Sequence, residues 1–169
     1  HIWKKTTKNQ IAKPGFHGVN NAALENWKSD ATSGLTDNTI SQSITGLPNG
    51  TYVFGAYVGA SVQAAEENRE AVTGVTLFAN DASVPVATNN PDAGTKWGHT
   101  AKFNVAVNVV DGTLKVGLKA EATTANFLIW DNATLYYFGD MDAAAALDEM
   151  AKIDMAATVA IADTCVAYK

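Results

Sequence analysis

The sequence predicts an all-β protein, an antiparallel β-sandwich of the jelly-roll type that is followed by a C-terminal α-helix. Short segments with alternating apolar and polar residues recur over 16–139, and no helical pattern separates them. Short turns and long polar loops alternate between these segments. Beyond Gly139 the sequence becomes rich in Ala and lacks Gly and Pro, which predicts one helix over 141–166.

A period of two identifies the individual strands. Tyr52 and Phe54 share one face of their segment, which follows a Pro-Asn-Gly turn at 48–50. Lys115 and Lys119 share one face of a later segment, and the apolar residues of that segment share the other face. The predicted strands are, in chain order, 39–46, 51–60, 75–79, 103–109, 114–120 and 127–138.

The lengths of the connections predict where function lies. The short turns are 47–50, 80–83 and 111–112. The long loops lie near 28–38, 61–73, 89–96 and 121–126. Because each connection of an antiparallel sandwich reverses the chain, all the long loops meet at one end, the loop pole, and the short turns meet at the other, the turn pole. Function concentrates on elaborated loops, so the loop pole is the predicted functional surface.

The length of 169 residues suits one domain with a sizeable core. We assign 1–139 to the β-sandwich domain, with 1–15 as an N-terminal segment, and 140–169 to a helical appendage. The apolar residues of the appendage indicate that it packs on the sandwich, on a second copy of itself or within a larger helical module. The chain starts without Met and shows no signal-peptide pattern, so we expect a mature chain or an excised fragment.

Composition excludes several classes of function. The formal net charge is −5 and no basic stripe is present, which argues against nucleic-acid binding. No run of 18 apolar residues occurs, so no membrane span is expected. The single cysteine, Cys165, excludes an internal disulfide and a multi-cysteine metal site. His17 and His99 are too isolated to predict a zinc site.

Three stretches of the sequence resemble galactose-binding-like jelly rolls. They are ISQSITGLPNGTY at 40–52, GTLKVGL at 112–118 and NFLIWDNATLYY at 126–137, and the resemblance covers roughly 16–139. One departure is Ala133, which stands where a bulky aromatic residue is expected after the Asp-Asn pair. Domains of this kind often serve as carbohydrate-binding modules of secreted bacterial enzymes that degrade polysaccharides.

The resemblance implies a function and a location. We expect non-catalytic binding of a polysaccharide or oligosaccharide, which targets an attached enzyme to its substrate. The implied partners are that glycan and the neighbouring domains of a parent enzyme, and the implied location is secreted or on the surface of a bacterium. The alternative is a ligand-free structural spacer or protein-assembly domain of a multidomain secreted protein, which predicts that Trp27 and Trp97 are buried.

Sugars bind by stacking their C–H faces on aromatic rings while polar side chains take up their hydroxyl groups. Residues of these types on or beside the long loops are the candidate ligand-binding residues: Trp97, His99, Trp27, Arg69, Asn126 and Glu67. Each tryptophan has an alternative role in packing the sandwich. Arg69 has the alternative of an ion pair with a neighbouring glutamate, which is the favoured interpretation.

Asp131 is a weak candidate for a metal ligand. The alternation places it on one face with Phe127, Ile129, Ala133 and Leu135. That face is mostly apolar, so the carboxylate is predicted to be buried and to need hydrogen bonds or a cation. Related jelly rolls often carry a structural calcium, but the sequence shows no clustered set of oxygen ligands, and hydrogen bonding is favoured.

An enzyme is not expected from this sequence. Glycoside hydrolysis needs two carboxylates at a defined separation. The loop acids Glu66, Glu67, Asp92 and Glu121 are potential members of such a pair. Nothing in the sequence marks any two of them as a pair, and no serine elbow or phosphate-binding loop is present.

Overall fold

The structure is a computed structural model, which describes residues 3–6, 23–29, 33–62, 72–86 and 100–167, the last ten of them by backbone alone. Within these ranges, the strands are β1 (Lys4–Thr6), β2 (Ala23–Trp27), β3 (Asn38–Thr45), β4 (Gly50–Ser61), β5 (Val75–Ala79), β6 (Ala82–Pro85), β7 (Ala101–Val109), β8 (Thr113–Ala120) and β9 (Phe127–Tyr137). One helix, α1 (Ala143–Ala167), follows them.

The described strands form two antiparallel sheets. The five-stranded sheet has the order β1-β2-β9-β4-β7, and the four-stranded sheet has the order β3-β8-β5-β6. All registered strand pairs are antiparallel. The predicted β-sandwich followed by a C-terminal helix is therefore confirmed.

The main core lies between the two sheets. Every second residue of the central strands points inward, and Val58, Leu77, Leu118 and Leu128 are fully buried there. Burial of one such side chain contributes about 1.5–3 kcal/mol. The alternating residues of the sequence thus form the core, while the outer face of the five-stranded sheet carries two smaller apolar clusters of its own.

The register brings the described ends of the long loops together at one pole, as predicted. Asn38 and Val75 flank Ala120 from opposite sides, which brings the ends of the first, second and fourth loops together. Ser61 lies opposite Phe127, at the same end of the five-stranded sheet. The flanks of the third loop reach this pole as well, since the backbone N–H of Val86 donates to the carbonyl of Val75 (2.9 Å).

The turn pole closes the opposite end of the sandwich. The backbone N–H of Leu47 donates to the carbonyl of Gly112 (3.0 Å), which joins two of the short turns. The hydroxyl of Tyr52 donates to the carbonyl of Pro48 (2.9 Å), and its ring packs on Tyr137 with centroids 4.9 Å apart. Burial, together with the neighbouring phenol of Tyr137, raises the pKa of Tyr52 above its usual value.

A β-bulge in β9 changes the predicted faces of that strand. Tyr57 lies opposite Asp131, whereas Gly55 lies opposite Thr134, so β9 contains one extra residue between these pairs. Asn132 takes up the distortion with a φ of 53°. Beyond the bulge the alternation is reversed.

The prediction that Asp131 and Leu135 share an apolar face is therefore wrong. Leu135 packs against the core between the sheets, whereas Ile129 belongs to a separate cluster on the outer face of the five-stranded sheet. Asp131 lies on that outer face and is half-buried. Strict alternation cannot reveal a bulge, because a bulge shifts the period by one residue.

The helix packs on the outer face of the five-stranded sheet. The Asp142 side chain accepts a hydrogen bond from the backbone N–H of Ala145 (2.9 Å) and so caps the helix start. Met150 is buried against Val53 of β4. Asp154 accepts hydrogen bonds from Lys102 (3.2 Å) and from the side-chain amide of Asn104 (3.0 Å). Of the three partners considered for the helix, the sandwich is the one that it contacts here.

Candidate functional site

The fourth loop, 121–126, connects the first and second loops of the loop pole through hydrogen bonds. The backbone N–H of Leu35 in the first loop donates to the carbonyl of Ala125 (2.7 Å). On the other side, the N–H of Glu121 donates to the carbonyl of Gly74 (2.8 Å), and the hydroxyl of Thr123 donates to the backbone carbonyl of Thr73 (2.6 Å). Three of the four long loops are thus joined through one segment.

Two glycines allow the loops to approach so closely. A Cβ on Gly34 would lie 1.6 Å from the carbonyl oxygen of Thr123. A Cβ on Gly74 would lie 2.4 Å from the carbonyl oxygen of Glu121, and Gly74 has a φ of +74° that favours glycine. The described part of the loop pole is therefore a packed platform.

Trp27 is the predicted site residue that the structure exposes at this pole. It is the last residue of β2, and its side chain is 40% exposed. The register pairs it with the buried Phe127, which lies beside Ser61 in the same row of the sheet. Trp27 thus presents an aromatic surface to solvent at the edge of the loop platform, as stacking on a sugar requires.

Asn126 occupies a different position from the one predicted for a ligand contact. It is fully buried. Its backbone carbonyl accepts from the N–H of Lys28 (3.0 Å), and its N–H donates to the carbonyl of Ser61 (3.2 Å). The backbone of Asn126 therefore links the end of β2 to the end of β4, while its side chain is buried beneath the surface of the loop pole.

Two polar side chains near Trp27 were not recognised from the sequence. The amide of Asn26, 1% exposed, has neither its oxygen nor its nitrogen hydrogen-bonded, and the hydroxyl of Ser61 is also buried without a partner. An unpaired buried polar group costs about 1–3 kcal/mol. The sequence signal that could have singled out Asn26 is a polar residue at an inward-facing position of β2.

Four of the six predicted ligand-binding residues lie outside the described residues. They are Trp97, His99, Arg69 and Glu67. Their convergence with Trp27 at the loop pole stays a prediction, which rests on the position of the loops that contain them. Of the loop acids, Glu121 is described, and it forms an exposed ion pair with Lys119 (2.6 Å).

The calcium site also stays a prediction. Asp131 is half-buried on the outer face of the five-stranded sheet, opposite Tyr57. Across the described ranges, no group of three or more His, Cys, Asp or Glu side chains is close enough to hold a metal ion. Asp131 does take part in interactions of its own.

An apolar cleft of about 430 Å³ opens between the edges of the two sheets, where β3 faces β9. Trp130 lines it, and its indole N–H is buried without a hydrogen-bond partner. Ala133 also lines the cleft, so the residue that departs from the expected aromatic leaves this space open. Trp3 packs on Trp130 with ring centroids 6.5 Å apart, and its own indole donates to Asn38 (3.1 Å).

Comparison with solved structures identifies the same architecture in a carbohydrate-binding module. TmCBM61, a carbohydrate-binding module solved in complex with β-1,4-galactotriose, superimposes with a TM-score of 0.53 and 17% sequence identity, over 80% of this chain and 82% of its own. The C-terminal domain of EclA, a sugar-binding protein, gives a TM-score of 0.46 and 15% identity over 68% of this chain and 76% of its own.

A third similar structure is the K1 cleaved adhesin domain of Lys-gingipain from Porphyromonas gingivalis W83, with a TM-score of 0.45 and 18% identity over 81% of this chain and 91% of its own. No family model matches the chain, and no curated protein matches its sequence. At these identities the likeness concerns the fold. The chain has the jelly-roll fold that is also found in TmCBM61, as its resemblance to carbohydrate-binding modules implied.

Proposed function

We propose that this protein is a non-catalytic carbohydrate-binding module that holds a polysaccharide chain at its loop pole. The observation that carries the proposal is Trp27, a 40% exposed indole at the edge of a platform of hydrogen-bonded loops. An exposed indole offers a flat apolar ring on which the C–H face of a pyranose can stack. The fold supports this function, since TmCBM61 has the same architecture and was solved with a galactotriose.

The alternative function, a ligand-free spacer, predicts a buried Trp27. The exposure of its side chain favours ligand binding over the spacer. Asn26 and Ser61 also favour ligand binding over the spacer. A spacer gains nothing from polar groups that are buried without hydrogen-bond partners at this end.

The biological role that follows is targeting. A module with modest affinity for each sugar site raises the local concentration of an attached catalytic domain at an insoluble polysaccharide. A secreted or cell-surface bacterial enzyme is the parent that we propose. The polypeptide that contains this chain would then bind through the jelly roll and cleave through a separate domain.

The proposal is tested by affinity electrophoresis and calorimetry with a panel of polysaccharides, beginning with β-1,4-galactan and xylan. We expect at least one of them to bind, and Trp27→Ala to weaken that binding by about tenfold, or roughly 1.4 kcal/mol. Loss of the stacking surface is the physical reason. Because Trp27 is exposed, the substitution is expected to leave the thermal unfolding temperature almost unchanged.

Val110→Ala is the matched control, since Val110 is 70% exposed and lies at the turn pole. It should bind as the unmodified protein does. Binding that survives Trp27→Ala undiminished would contradict the loop-pole site. Folded protein that binds nothing across the panel would contradict carbohydrate binding altogether.

A further inference from the structure

The outer face of the four-stranded sheet carries a groove of about 460 Å³, far from the helix, which extends along the sheet from Gly74 and Glu121 at the loop pole. We call it the outer-sheet groove and define it by Thr76, Phe78, Asp81, Lys115, Lys119 and Glu121. The register places Phe78 opposite Gly117 and Thr76 opposite Lys119, on the side of the sheet that faces away from the buried Leu77 and Leu118.

Phe78 provides an aromatic surface in this groove. Its ring lies across Gly117, since a Cβ on that glycine would be 2.9 Å from the ring and 2.2 Å from the carbonyl oxygen of Ile40. Phe78 is half-buried, so one part of the ring is packed on the sheet and another part faces solvent. Among the outward-facing residues of these strands, it is the one aromatic side chain in the described ranges.

The rim of the groove is polar and balanced in charge. Lys119 forms an ion pair with Glu121 (2.6 Å), while Lys115 and Asp81 are exposed towards the other end of the groove. The two lysines and two acids cancel, so the groove does not attract a polyanion. Both donors and acceptors line the groove beside Phe78, which suits hydroxyl groups that both donate and accept.

The dimensions of the groove favour an extended ligand. Lys115 and Lys119 are four residues apart along β8, which corresponds to about 13 Å at the rise of a strand. This length exceeds a single sugar ring. The groove is open, so a chain can run through it without its ends being enclosed.

We propose that the outer-sheet groove is a second binding site, for a neutral oligosaccharide chain that stacks one ring on Phe78. Thr76 and Lys115 bind hydroxyl groups on either side of the stacked ring. Because Trp27 belongs to the five-stranded sheet and Phe78 to the four-stranded sheet, one polysaccharide chain or two neighbouring chains engage both sites, and avidity follows. This second site does not require the loop-pole site to be functional.

The test is an NMR titration of the ¹⁵N-labelled full chain with β-1,4-galactotriose, xylohexaose and hexagalacturonate. We expect a neutral oligosaccharide to shift the backbone amides of Thr76, Phe78 and Lys115. Phe78→Ala should weaken the affinity of this site by about tenfold. Phe78→Tyr should retain it, because a tyrosine ring offers the same stacking face.

Lys115→Ala is a second variant whose fold is not in question, since its side chain is exposed, and it should weaken the same site by about threefold. Tyr136→Ala removes an exposed ring that lies outside both sites and should change nothing. In Trp27→Ala the shifts at Phe78 should persist, which separates this site from the loop pole.

The outcomes are distinguishable. Shifts at the loop pole with none at Phe78 would overturn the second site and leave the proposed function intact. Shifts at Phe78 alone would support the second site and contradict the loop pole. Preference for hexagalacturonate over both neutral sugars would overturn the proposed ligand class, and silence with all three oligosaccharides would overturn both sites.

Discussion

Glycine residues decide how closely the loops of the pole approach one another. Gly34 has no space for a side chain, because a Cβ would lie 1.6 Å from the carbonyl oxygen of Thr123. Gly46, at the turn pole, needs to be glycine for a different reason. Nothing lies within 4 Å of a Cβ placed there, but its φ is +76°. One glycine is required by packing and the other by backbone conformation.

Alanine at these two positions separates the two causes. We expect Gly34→Ala to lower the free energy of unfolding by about 2–3 kcal/mol, because the backbone of two loops must move apart. Gly46→Ala should cost about 1 kcal/mol, the conformational term alone. Urea denaturation measures both.

Sugar binding is the second readout for this pair. Displacement of Trp27 should also weaken sugar binding in Gly34→Ala, whereas Gly46→Ala should bind normally. Equal costs for the two variants would show that the loops are not packed as described.

At the scale of elements, the helix is an integral layer of the molecule. Its buried side is small: Met150 is 1% exposed and Ala146 is fully buried against Val53. Its polar contact is the double hydrogen bond from Lys102 and Asn104 to Asp154. Along the described ranges, no helix has the length and apolar content that would cross a bilayer.

A pair of methionines tests how the helix is held. Met150→Ala should lower the free energy of unfolding by about 2–4 kcal/mol, since it leaves a cavity between α1 and β4. Met155→Ala is the matched control, because Met155 is 63% exposed, and it should change stability by less than about 0.5 kcal/mol. Thermal and urea unfolding measure the difference. A similar cost for both substitutions would mean that the helix does not pack through Met150.

At the scale of the whole molecule, the surfaces that stabilise the sandwich differ from the surfaces that we propose to bind sugar. The turn pole is closed by short connections and by Tyr52, while the loop pole carries Trp27 on joined loops. The helix covers part of the five-stranded sheet, and the outer face of the four-stranded sheet stays open. The two proposed sugar sites therefore lie on surfaces that the helix does not occupy.

A chain that ends at residue 139 tests this division. We expect it to fold as a β-sandwich and to retain sugar binding, with an unfolding temperature lower by roughly 10 °C, because the outer surface around Val53 becomes exposed. Circular dichroism and calorimetry report both properties. Loss of the β signal would show that the helix is required for the sandwich to fold, and loss of binding in a folded protein would place a ligand contact on the helix.

Much of this architecture follows from local sequence. Alternation predicts the strands 39–46 and 114–120, because one face of each must enter the core. The lengths of the connections predict the loop pole, because antiparallel chains reverse at every turn.

The sequence by itself determined the sandwich, the helix and the pole at which the long loops meet, since these depend on periodicity and chain reversal. The tertiary structure alone decided three other features. The bulge at Asn132 moves Leu135 to the core and Asp131 to the outer face. Asn126 is buried beneath the loops, and the half-buried Phe78 lies across Gly117 on the outer face of the four-stranded sheet. Each depends on which residues meet across strands, and contacts between distant segments leave no periodic trace in the chain.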